Sequence, residues 1–290
     1  MDEAQLERCL GFTYLNVGRL DDAAACFGRA IAGFSEHGQA RDTIAGIGGL
    51  GILRAVEGRF EEARSYLRRV LGLAQDAGLR MHEALAWGNL GALCVDLEDW
   101  DGAQECARNA LAVANDQGQV ARPQVHICLA RAAEGRGQYD EATEHALASL
   151  DLASAYDDAI GQVHALEVLA SIHHRLGRYE EAVQSLENTL QTHRRHCRAQ
   201  LVAQVLNTLG CTYLDAASPS LARDRHAEAR RYAERAGSRL QVSRALLGLG
   251  DAHVALGEPV AAQSYWQQAL TAYAQMQHPA ADRVLARLAT

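Results

Sequence analysis

The 290-residue chain contains no lysine; its 28 fixed cationic side chains are all arginine. Schiff-base chemistry, a Walker-type phosphate loop and a Ser-Lys dyad all need a lysine amine, so none can be built from this sequence. Aromatic residues are only 6% of the chain and prolines number four. That disfavours a ring-rich β-sandwich core and predicts few helix breaks. The seven cysteines, Cys9, Cys26, Cys94, Cys106, Cys128, Cys197 and Cys211, form no CxxC pair. Most stand among Ala and Leu at helical spacing, as small buried thiols in a reducing compartment do. No stretch approaches the roughly 18 uninterrupted apolar residues of a membrane span. The N-terminus, MDEAQLERCL, is acidic and lacks a signal peptide's apolar run. A cytoplasmic protein without a membrane partner is expected. The net charge of −8 gives no global attraction for nucleic acid.

What the chain has in quantity is one phrase, clearest at residues 169–190 as LASIHHRLGRYEEAVQSLENTL. Its first small residue recurs at Gly11, Gly51, Gly91, Ala130, Ala170, Gly210 and Gly250, at intervals of 40, 40, 39, 40, 40 and 40. The residue before it is always Leu, and the residue twelve later is always Ala, from Ala23 to Ala262. Seven later stands a turn Gly, replaced by Glu98 and Ala217 in two copies. Two residues on, an aromatic, Leu or Pro opens a second helix, followed by acidic pairs such as Glu61-Glu62. Small residues permit close helix approach, Gly takes the left-handed turn conformation, and acids suit a helix N-terminus. Gly38, Gly78, Gly118 and Gly237 end the second helices, and Asp157 and Cys197 in that column suggest linkers of different shape. A fixed period in this range predicts stacked helical hairpins that bury their apolar faces only against neighbours.

These columns resemble the tetratricopeptide repeat (TPR), in its longer 40-residue form, over essentially the whole chain. The resemblance rests on Leu-Gly, the aromatics Tyr14 and Tyr213, the turn Gly, the invariant Ala and the later Ala110-Leu111 and Ala269-Leu270. It implies an all-α, right-handed superhelical solenoid of seven TPR helical hairpins plus a C-terminal capping helix. The expected hairpins are residues 1–38, 39–78, 79–118, 119–157, 158–197, 198–237 and 238–277, with the cap at 278–290. In the cap, Val284, Leu285 and Leu288 share one side. Met1 leads directly into the first helix, as in a free-standing array or a module of a larger protein.

On the family pattern, the first helices line a concave groove. Its expected contact residues are Phe12, Ile52, Arg131, Glu134, His164, Glu167, His174, Gln204, Asn207 and Asp215. The same columns hold Leu85, Gly88, Ala92, Val95 and Asp96 in the third hairpin and Gln124, Ile127 and Gly135 in the fourth, among others. The groove changes from apolar to polar along the chain, as suits a ligand with one greasy and one polar end. Similar arrays grip an extended peptide with a ladder of Asn, which here only Asn89 and Asn207 match. His164, Glu167 and His174 share a helix face, but the two histidines stand about 15 Å apart along it, too far for one metal. His193, His196 and Cys197 read as a charged helix end. No metal, cofactor or catalytic residue is expected.

Residues 193–244 carry ten Arg against four acidic residues. Arg225, Arg230, Arg231 and Arg235 offer a dock for an acidic partner or a second copy. The function expected is a non-catalytic module binding a protein, a peptide or a small-molecule inducer. The resemblance implies the sensor or regulatory part of a bacterial signalling or transcription system. A homo-oligomeric scaffold is the alternative, and an enzyme built on the polar cluster of the fourth to sixth hairpins ranks below both. On this reading, Arg131→Ala and Glu167→Ala weaken ligand binding and leave the melting temperature nearly unchanged.

Overall fold

The computed structural model describes residues 3–116, 122–195 and 199–289. Gly118, His196, Cys197 and Arg198 lie outside the described residues, as does the side chain of His193. The described residues form α-helices and turns, without a strand. The helices pair in chain order: α1 (Glu3–Asn16) with α2 (Leu20–Glu36), α3 (Ala40–Val56) with α4 (Phe60–Asp76), and α5 (Arg80–Asp96) with α6 (Trp100–Asp116). They continue as α7 (Pro123–Gly135) with α8 (Tyr139–Ala155), α9 (Ala159–Arg175) with α10 (Tyr179–Arg195), and α11 (Ala199–Asp215) with α12 (Pro219–Arg235). The last pair is α13 (Arg239–Ala255) with α14 (Pro259–Gln275), followed by the single helix α15 (Ala280–Leu288). The architecture is an all-α solenoid of helical hairpins. The chain divides into two compact units: Met1–Leu15 with Arg19–Val168, and Asn16–Gly18 with Leu169–Thr290.

Each hairpin turn closes in the same way. The amide one residue past the left-handed position donates back to a carbonyl five residues earlier, as in Arg59 N–H to Arg54 O at 2.8 Å and Asp99 N–H to Cys94 O at 2.9 Å. This satisfies a helix-end carbonyl that would otherwise face no donor. Glu98 and Ala217 adopt positive φ, 58° and 54°, where the other copies have Gly. The turn is therefore imposed by stacking even where the residue disfavours it. Asp157 has φ 53°, close to Gly38 at 66° and Gly78 at 64°. The expectation of a differently shaped linker there is corrected, because the left-handed residue is set by the helices it joins.

The invariant Ala column is fully buried: Ala23, Ala63, Ala103, Ala142, Ala182, Ala222 and Ala262 are all 0% exposed. A second column, sixteen residues after the small one, matches volume between neighbouring hairpins. In the first unit Phe27 fills it, and a Cβ at Gly11 or Gly49 would lie 2.8 or 2.5 Å from its ring. In the second unit His226 fills it, and a Cβ at Gly210 or Gly248 would lie 2.4 or 2.2 Å away. Where the column is Ala107, the neighbouring first helix carries Cys128 and Leu129 in the same core. Large rings thus coincide with Gly on the flanking helices, so that interior packing stays dense. In α15, Val284 buries completely while Leu285 stays half exposed. Arg287 holds the cap through Asp251, with bonds of 2.7 and 3.0 Å.

His226 is 1% exposed and belongs to a buried polar chain. Its Nδ1 lies 3.2 Å from Asn207 Oδ1, and Asn207 Nδ2 donates to the Gln241 carbonyl and to Gln241 Oε1, both at 3.1 Å. The acceptor at Asn207 fixes the proton on Nδ1. Nε2 has no partner, so a second proton would be buried unbonded. Burial accordingly pushes the imidazole down to about 4. An unfolded chain protonates this ring below about pH 6.5, the folded chain only near pH 4, so this contribution is complete above the upper value and lost as pH falls between them. His226→Phe, which copies Phe27, should therefore remove about 2–3 kcal/mol of the stability loss between pH 7 and pH 4.5. Urea denaturation at the two pH values measures it; an unchanged pH slope would contradict the assignment.

Candidate functional site

In the first unit, Arg131 stands on α7 with Glu134 one turn later and Glu167 on α9. Its guanidinium reaches Glu134 at 3.1 Å and Glu167 at 3.3 Å. Glu167 is 1% exposed and Glu134 8%. Burial works against the arginine's charge, and the two carboxylates outweigh it, so its pKa is raised. These three expected groove residues are thus assembled into one ion cluster that ties α7 to α9. Phe12 packs edge-on against Phe27, with ring centroids 5.0 Å apart, as part of the core. Ile52 and His164 are half-buried.

In the second unit, His174 is brought to Asp215, with Nε2 3.4 Å from the carboxylate, and its ring leans on Tyr179. Gln204 is half-buried. Asn207 is 6% exposed and committed to His226 and Gln241. On α12, Arg225 pairs with Glu187 and Glu228, and Arg230 pairs with Glu234. Arg235 lies over the Tyr232 ring, and Arg231 is exposed. Half of the expected basic dock is therefore already neutralised within the chain. Cys211, near the His174–Asp215 pair, is an exposed residue, yet the packing around its sulfur and the charges of Asp251 and Asp215 push its thiol up to about 11. Such a thiol is a poor nucleophile at neutral pH. Among the described residues, no group of three or more His, Cys, Asp or Glu side chains is placed to hold a metal ion. None of the described helices is long and apolar enough to cross a membrane.

A different place in the first unit has room for a ligand. A mostly apolar cavity of about 130 Å³ lies where α5, α6 and α7 meet, lined by Met81, Leu85, Gly88, Asn89, Ala114 and Gln124, among others. Leu85, Gly88 and Gln124 are residues of the expected groove columns, though none of the expected contact residues lines the cavity. Gly88 leaves the space open: a Cβ there would meet nothing within 4 Å. Asn89 is half-buried beside it, and its amide has no hydrogen-bond partner among the described residues. Sequence columns marked these positions as small or apolar, while their value as a site comes from the missing volume.

Sequence models of the tetratricopeptide repeat match residues 10–78, 86–121, 119–195 and 243–268. The chain belongs to the tetratricopeptide repeat family. No curated protein matches it in sequence. Solved structures share the fold. A Rap protein complexed with competence and sporulation factor is 12% identical with a TM-score of 0.63, over 99% of this chain and 97% of that one. NprR in complex with its cognate peptide NprX is 13% identical with a TM-score of 0.66, over 99% and 82%. The Rap conjugation gene regulator of plasmid pLS20, in complex with the Phr* peptide, is 15% identical with a TM-score of 0.72, over 96% and 75%.

Within this TPR chain, the burial of Glu167 corrects the expectation that Arg131→Ala leaves stability unchanged. Removing the guanidinium takes a shared counter-charge from two largely buried carboxylates. Arg131→Ala should cost about 3 kcal/mol in urea denaturation. A loss below about 0.5 kcal/mol would show the cluster to be solvated like a surface ion pair.

Proposed function

We propose that this chain is a non-catalytic binding module for a peptide. An apolar side chain of the peptide occupies the cavity between α5 and α7, and its backbone bonds to the Asn89 and Gln124 amides. The observation that carries the reading is the pairing of an open apolar cavity with an amide lacking an internal partner. A peptide supplies both complements at once: an apolar group to fill the space, and backbone donors and acceptors for the amide. The peptide complexes named for similar TPR structures support the same ligand class. We further read the module as the sensing part of a signalling or transcription system. Binding would then favour one arrangement of the hairpins over another.

The catalytic alternative loses its best nucleophile with the raised pKa of Cys211. The scaffold alternative loses driving force because Arg225 and Arg230 are paired internally.

Gly88→Leu puts a side chain into the cavity from a Cβ that meets no neighbour within 4 Å, and should abolish selection of peptides from a synthetic pool while raising the melting temperature slightly. Asn89→Ala should weaken the same peptides by about tenfold, the worth of one good hydrogen bond. Affinity selection read by mass spectrometry, followed by fluorescence titration, tests both. Peptides that bind Gly88→Leu as tightly as the parent chain would overturn the assignment.

A further inference from the structure

A pair of histidines on the hairpin formed by α7 and α8 carries chemistry that the peptide site does not use. His126 Nδ1 and His145 Nδ1 face each other at 3.5 Å. The ring centroids are 5.6 Å apart and the ring planes meet at 46°. This is long for an N–H hydrogen bond, which favours about 3.0 Å. It matches another arrangement. A tetrahedral ion with metal–nitrogen bonds of about 2.0–2.1 Å sets two ligand nitrogens about 3.4 Å apart.

The spacing is held by the hairpin itself. Ala142 and Ala146, on either side of His145 on α8, are 0% exposed, and Val125 and Ile127 flank His126 in the core of α7. One turn beyond His145, Ser149 Oγ donates to the Pro123 carbonyl at 3.0 Å and braces the two helices. Both imidazoles are half-buried, so an ion and its waters can reach them. The neutral ring is the ligating form.

We propose that His126 and His145 chelate a late first-row divalent metal ion through their Nδ1 atoms, with Zn²⁺ in tetrahedral geometry the best match. Imidazole nitrogens suit Zn²⁺, Cu²⁺ and Ni²⁺. With two protein ligands, the remaining positions belong to water, so the site is open and exchangeable, unlike a closed structural zinc site. Metal occupancy would clamp α7 to α8 next to the ion cluster of Arg131.

Calorimetric titration of the whole chain with Zn²⁺ tests this directly. The parent chain should take up one equivalent at this site. His126→Gln and His145→Gln should each weaken that uptake at least about tenfold, while His37→Gln, on an exposed helix end, leaves it unchanged. Uptake that survives both histidine variants, or no uptake by the parent chain, overturns the proposal. Should either variant fail to fold by circular dichroism, anomalous diffraction from a Zn²⁺-soaked crystal of the parent chain decides. An ion coordinated by both Nδ1 atoms supports the chelate; an ion elsewhere, or none, overturns it.

Discussion

The closest constraint in this protein is the space left where one second helix meets two first helices. Phe27 and His226 each sit where a Cβ on the flanking helices would overlap the ring. Gly11 and Gly49 in one unit, and Gly210 and Gly248 in the other, are what let those rings in. A helical Gly costs about 1 kcal/mol against Ala, and the burial of a large side chain offsets it. The hairpins are therefore specified by matched volumes between neighbours, and the repeat period is the visible trace of that matching.

Polar residues that break the repeat are largely drawn into the same task. Arg131, Glu134 and Glu167 form an ion cluster between α7 and α9. Asn207 joins His226 and Gln241 in a buried chain across α11, α12 and α13. Buried polar groups need partners, and here Arg131 and Asn207 find them within the fold, whereas His226 Nε2 stays unbonded. On the proposed function, binding then falls to positions that are small or unpartnered, such as Gly88 and Asn89.

The fold was legible because seven copies vote on each column. Leu, the small residue, the turn Gly and the invariant Ala recur for packing reasons that hold in every hairpin. The candidate site was much less legible. Column position shows which helix face a residue occupies, but not whether a neighbour across the stack already satisfies it. Asn89 and Asn207 illustrate this: both are Asn on first helices, yet one borders a cavity and the other is 6% exposed and bonded twice to Gln241. His126 and His145 are 19 residues apart on different helices, so only the hairpin geometry brings their nitrogens together.

The central claim is that unrepeated polar residues hold the hairpins while a ligand binds at the α5–α7 cavity. A crystal structure of the chain with a peptide taken from the synthetic pool tests it most directly. The account predicts an apolar peptide side chain against Leu85 and Gly88, backbone bonds to Asn89, and an intact Arg131–Glu167 pair. A peptide bound through Arg131 and Glu167, with the cavity unfilled, would contradict it.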